Sequence, residues 1–159
     1  MESGIGSNPD EERRKVLAKR VNDEMDAGRG SCILRHPLAA RTVQETLHFD
    51  HGRRLMLHAW VVMPNHVHVL LTPLENVTLE EILRTQKSIS STRINKLLGK
   101  QGRLWQPDYF DRLIRDEKHF NGVVHYIEWN PVKAGLCVDP ADWTWSSAYR
   151  HAKPLEPAD

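Results

Sequence analysis

Apolar positions along this chain follow two rhythms. Ala39, Ala40, Val43 and Leu47 recur at helical spacing behind Pro37, which predicts a helix starting near that proline. In LMLHAWVVM (55–63) and HVHVLLT (66–72) the apolar residues are nearly continuous and rich in β-favouring types. Only Pro64 and Asn65 separate these runs, so they are expected to pair as antiparallel strands. Upstream, Asn8 before Pro9 and three acids reads as the start of a helix that runs to about Ala27, stopped by Gly28 and Gly30. Downstream, Thr78 and Glu81 have capping-box spacing, which predicts a long helix to about Leu98, ended by Gly99 and Gly102. The segment LWQPDYFDRLIR (104–115) reads as extended, with a break at Pro107. Asp116 caps a last helix that Pro131 is expected to end. The aromatic tail DWTWSSAYRHA (142–152) is expected to pack across the sheet. The order α-α-β-β-α-β-α gives an α+β class with a small antiparallel sheet. The 159 residues suit a single domain, 1–159, with 1–8 disordered and 152–159 a tail.

Composition adds bounds rather than an activity. Hydrophobic residues make up 40% and charged residues 27%, as in a soluble folding domain. No apolar run approaches the ~20 residues that span a bilayer, and MESGIGSNPDEERRK lacks the apolar core of a secretory leader. A cytoplasmic protein with no membrane partner is expected, and Cys32 and Cys137 read as reduced thiols. The net charge of +1 singles out no partner, but its distribution is uneven. Arg84, Lys87, Arg93, Lys96, Lys100 and Arg103 fall in a stretch with no acid, the footprint of a polyanion-binding surface or of a solvated helix face. A second cluster, from Arg13 to Arg20, is diluted by neighbouring acids and reads as ordinary surface.

Two histidines interrupt the second apolar run. Residues i and i+2 of a strand share a face, so His66 and His68 project side by side, placed to hold one divalent cation or to serve a structural role. Two ligands make a weak site, which directs attention to the helix after Asp116. Its apolar stripe is Phe120, Val123, Val124 and Ile127. At ~100° per residue Tyr126 lies roughly 110° from the stripe's centre and Asn130 roughly 70°. Tyr126, Asn130 and His119 therefore share one flank. Tyr126 there is either a reactive group facing the histidines or a ring at the core margin; Asn130 is either a ligand or a helix-end cap.

MPNHVHVLL (63–71) together with HYIEWNPVKAGL (125–136) resembles the HUH single-tyrosine transposase superfamily, and within it the REP-associated tyrosine transposases, the IS200-like branch. The likeness runs from about Gly30 to Tyr149 and takes in WQPDYFDRLIRDEKHF and DWTWSSA. It implies a ferredoxin-like (RRM-like) antiparallel sheet with helices on one face. It also implies that His66, His68 and Asn130 bind Mg²⁺ or Mn²⁺, and that Tyr126 is the nucleophile of single-stranded DNA cleavage through a 5′-phosphotyrosine. His119 and His125 become auxiliary candidates, and the partner becomes single-stranded or hairpin DNA, bound by a monomer or homodimer. On this reading Arg84, Lys87, Arg93, Lys96, Lys100 and Arg103 contact the DNA backbone, and Trp105, Tyr109 or Phe110 stacks on bases. Family members begin with a strand of aromatic and β-branched residues, central in the sheet. MESGIGSNP does not read as such a strand, so the chain is expected to lack it and to leave the histidine strand with an open edge. A domesticated hairpin binder without turnover is the alternative function. A histidine-triad nucleotide hydrolase is disfavoured because its motif needs a further histidine where Leu70 stands. A zinc hydrolase is disfavoured because no HExxH motif or acidic partner accompanies the pair.

Overall fold

A computed structural model describes residues 21–26, 32–107 and 109–156, except for the side chains of 21–26, 109 and 110. The elements are β1 (Val21–Asp26), α1 (Pro37–Asp50), β2 (Leu55–Val62), β3 (His66–Pro73), α2 (Leu79–Leu98), β4 (Tyr109–Leu113) and α3 (Glu117–Lys133). Short 3₁₀ turns lie at Ile33–Arg35 and Pro140–Asp142. The strands form one antiparallel sheet in the order β2-β3-β1-β4, the ferredoxin-like arrangement.

The local signals explain most boundaries. The Thr78 hydroxyl accepts the Glu81 amide at 3.2 Å, and the Glu81 carboxylate accepts the Thr78 amide at 2.9 Å, closing the capping box of α2. Gly99 ends that helix in the left-handed region, φ 61°. Asp116 caps α3 by accepting the His119 amide at 2.7 Å. Contrary to expectation, Pro131 does not end α3, which continues to Lys133. In the last turn a missing N–H costs one hydrogen bond, and the end is closed by Gly135 (φ 73°), whose N–H donates to Val132 while that of Leu136 donates to Pro131.

The largest departure is β1. The helix expected from Pro9 to Ala27 is not continuous, because Val21–Asp26 forms a strand; residues 1–20 lie outside the described part. That strand occupies the sheet's interior between β3 and β4, so the open edge expected on the histidine strand is filled. VNDEMD has poor strand propensity, but two waiting ladders satisfy its backbone on both sides, and tertiary pairing overrides propensity.

The sheet is covered on both faces, not one. Helices α1 and α2 bury Ala40, Val43, Leu47, Ile82, Leu83 and Ile94 against Leu57, Trp60, Val67, Val69 and Leu71. Helix α3 buries Val123 and Ile127 against Ala59, Val61, Leu70 and Ile114 on the opposite face. The crossover helices thus keep to one face as expected, and α3 adds a third layer. A bulge between Leu57 and Ala59 shifts the alternation, so Leu55 and Leu57 face the same layer as Trp60 and Val62, while Ala59, Val61 and Met63 face α3.

The tail runs along the outer edge of β2 rather than across a face. Val62 donates to the Trp145 carbonyl at 2.8 Å, and Ser147 donates to that of Trp60 at 3.0 Å. Trp143 packs into the α3 layer and Trp145 into the other, straddling the edge. Among the described residues no helix is long and apolar enough to cross a membrane.

Candidate active site

The α3 side of β3 carries the chemistry. Alternation sends Val67, Val69 and Leu71 into the α1–α2 layer, which leaves His66, His68 and Leu70 facing α3. The two imidazoles meet edge to face with centroids 4.8 Å apart, and the Tyr126 ring lies 5.5 Å from that of His68. His66, His68, Tyr126, Asn130, Lys133 and Ala134 line one cavity of about 340 Å³. Strand and helix meet here because Val123 and Ile127 of α3 share a buried cluster with Leu70 and Val61 of the hairpin.

The electrostatics prepare a ligand pair. His68 is 4% exposed, and burial, with His66 beside it, lowers its pKa to about 4. It is therefore neutral at pH 7, with an unprotonated ring nitrogen to offer a cation. His66 Nδ1 lies 2.7 Å from Asn65 Oδ1, so its Nδ1–H donates to the amide oxygen and Nε2 is left as the basic nitrogen. Two imidazoles and the Asn130 amide fit a hard, exchangeable divalent cation better than a closed zinc cage. Among the described residues no group of three or more histidines, cysteines or carboxylates forms a site. The register nonetheless places Glu24 across from His68, and Asp26 across from His66.

Sequence alone does not single out Lys133, although Tyr126, Asn130 and Lys133 follow one helical flank. Its Nζ lies 5.9 Å from the Tyr126 ring centre, a cation beside both phenol and cavity. Asn65, a turn residue by sequence, is also a partner of the site histidine. The auxiliary candidates stand apart from the cavity. His119 Nδ1 accepts the Arg115 amide at 3.1 Å in the cap of α3. His125 stacks on Trp129 on the outer side of the helix.

The basic stretch is not beside the cavity, because α2 packs in the opposite layer. Arg84, Lys96, Lys100 and Arg103 are exposed there. Lys87 donates to the Gln106 carbonyl at 2.9 Å, and Arg93 pairs with Glu45 of α1 at 2.8 Å. Trp105 is no stacking platform: it is 4% exposed, with its indole N–H on Ser90 Oγ at 2.9 Å. An extended apolar segment after a glycine turn offers its tryptophan to whichever layer needs volume, and here α2 takes it. Tyr109 and Phe110 lie on β4.

Comparison with known proteins bears on the family and the fold. The family described as Transposase IS200 like matches residues 11–130. A REP-associated tyrosine transposase of Escherichia coli is 31% identical over 108 residues, which cover 67% of this chain and 63% of the relative. A Haemophilus influenzae protein provisionally given the same name is 31% identical over 102 residues, 58% of each. The match thus spans about three-fifths of each curated relative's length. A solved structure of a REP-associated tyrosine transposase bound to a REP hairpin shares the fold, with a TM-score of 0.64 and 22% identity over 91% of this chain and 90% of that one. With a family match across most of its length and REP-associated tyrosine transposases among its relatives, the chain belongs to the IS200-like transposase family.

Proposed function

We propose that the protein cleaves and rejoins single-stranded DNA beside hairpin-forming repeats, through a covalent 5′-phosphotyrosine on Tyr126 and with a divalent cation, Mg²⁺ or Mn²⁺, held by His66, His68 and Asn130. One observation carries the reading: Tyr126 and His68, 5.5 Å apart, share a cavity with a second histidine, an amide and a lysine. The hairpin-bound solved relative and the curated transposases support the choice of DNA.

A phosphodiester carries a negative charge that repels an incoming phenolate. A divalent cation held by His66, His68 and Asn130 would supply charge neutralisation at the phosphate. Lys133 adds a positive charge on the phenol's side, placed to meet the substrate phosphate. The Tyr126 oxygen attacks phosphorus; the new O–P bond forms as the bond from phosphorus to the 3′-oxygen breaks, and that oxygen leaves as a 3′-hydroxyl after taking up a proton. Attack by a 3′-hydroxyl on the phosphotyrosine reverses the sequence, so the phosphodiester energy is conserved without a nucleotide cofactor. The rival reading, a hairpin binder without turnover, draws its support from an absent central strand, and β1 fills that place.

The test mixes protein, Mn²⁺ and labelled hairpins taken from the DNA flanking the gene, and resolves the products on a denaturing protein gel. The wild type is expected to give a labelled covalent band, lost with Tyr126→Phe and with chelator. Hairpin binding with no band from the wild type would favour the binder.

A further inference from the structure

Helix α3 has a second surface that the cleavage reading leaves idle. Lys118, Gly122, His125, Trp129 and Lys133 follow one another by four, three, four and four residues, so they form a single stripe along the helix. The stripe adjoins the Tyr126 flank: Trp129 lies about 60° around the helix from Tyr126, on the side away from Ile127 and the core. The rings of His125 and Trp129 are stacked, with centroids 5.3 Å apart and planes 29° from parallel. Trp129 is 43% exposed, a large apolar area to leave facing water beside a reactive group. At Gly122 a Cβ would meet no atom within 4 Å, so the surface next to the stacked pair is open. Exposed Lys118 and Lys133 stand at the two ends, and no carboxylate interrupts the stripe.

We infer that this stripe is a stacking track for unpaired DNA, on which the Trp129–His125 pair receives a base adjoining the phosphodiester presented to Tyr126. Aromatic faces between cations are the general solution for single strands: bases stack on the rings while lysines follow the phosphates. Two lysines at the ends suit this polyanion and disfavour an apolar protein partner. Lys133 belongs to both surfaces, since it lines the cavity and closes the stripe, so a strand on the track leads into the site. His125, an auxiliary acid–base candidate by sequence, becomes a substrate-positioning residue. The inference rests on the proposed action of Tyr126 on single-stranded DNA.

The test is fluorescence anisotropy with a labelled DNA hairpin carrying about ten unpaired thymidines at its 5′ or its 3′ end, and with the same hairpin lacking a tail. The proteins are Tyr126→Phe, which cannot cleave, and Tyr126→Phe combined with Trp129→Leu or Trp129→Phe. Trp129→Leu is expected to weaken binding of one tailed hairpin about tenfold and to leave the tail-less hairpin unchanged, while Trp129→Phe retains most of the affinity. Single abasic sites moved along the tail should cost affinity at one position when Trp129 is present, and at none in the Trp129→Leu protein. Equal affinities for the tailed hairpins, or an equal loss on the tail-less one, would overturn the inference. If wild type forms the covalent adduct but Trp129→Leu binds tailed DNA normally, the track alone falls. If wild type neither binds DNA nor forms an adduct, the reading of the cavity falls with it.

Discussion

Helices α2 and α3 sit on opposite faces of the same sheet, and they differ in what they offer. Helix α2 is long, capped at both ends, and buries Ile82, Leu83 and Ile94, with exposed cations on and just after it. Helix α3 is less basic, but it brings Tyr126, Asn130 and Lys133 to a cavity shared with two histidines. Charge density marks α2 in the sequence; convergence of unlike groups marks α3 in the structure. The difference teaches that a run of cations locates a field, which reaches about 10 Å at ordinary salt, whereas bond chemistry needs a few groups within contact distance.

The sharpest way to break the comparison is to disable one helix at a time. Tyr126→Phe should abolish the covalent adduct, while combined alanine substitution of Arg84, Lys96, Lys100 and Arg103 should leave adduct formation intact at saturating DNA. Loss of the adduct at saturation in the α2 variant would show that the two surfaces are one site. The next effect concerns two tryptophans, Trp105 beneath α2 and Trp129 on α3. Trp105→Ala removes a buried ring hydrogen-bonded to Ser90 and should cost ~3–5 kcal/mol in urea unfolding. Trp129→Leu should stay within about 0.5 kcal/mol, as for a surface change.

The third prediction concerns pH. Burial, then His66, lowers the His68 pKa to about 4 from an unfolded value of 6.5, so the unfolded chain takes up the proton more readily. Stability from this residue is fully present above pH 6.5 and drains away as pH falls towards 4, by ~3 kcal/mol in all. Urea melts in chelator at pH 7 and 4.5 should show the loss in wild type and a shallower one in His68→Gln. The smallest effect lies on α2. Neutralising Arg84, Lys96, Lys100 and Arg103 should reduce the dependence of log affinity on log salt by about 3, if each contacts a phosphate. An unchanged slope would take α2 off the DNA path.

Local signals read well from the sequence. The capping box, the Asp116 cap, the β2–β3 hairpin and the paired histidines all depend on residues within a few positions of one another. The proximity of Tyr126 to His68 is not contained in spacing alone; helical phase places the tyrosine on a flank, and family likeness supplies what that flank faces. What escapes is set by distant partners. β1 is a strand because β3 and β4 flank it, a fact absent from VNDEMD itself. The tail takes the edge of β2 because that ladder is open, and Trp105 goes inward because α2 leaves Ser90 to receive its N–H.

The packing of α3 has a consequence for tolerance to change. His68 stands on the β2–β3 hairpin itself, and the helix that carries Tyr126 packs on Val61 and Leu70 of the same hairpin through Val123 and Ile127. β4, by contrast, pairs with β1 at the far side of the sheet. The hairpin therefore acts as the datum from which both side chains are measured. Sequence drift in β4, one strand removed from the hairpin, reshapes the far edge of the sheet without resetting that measurement, whereas β1 pairs directly with the histidine strand and is held to it.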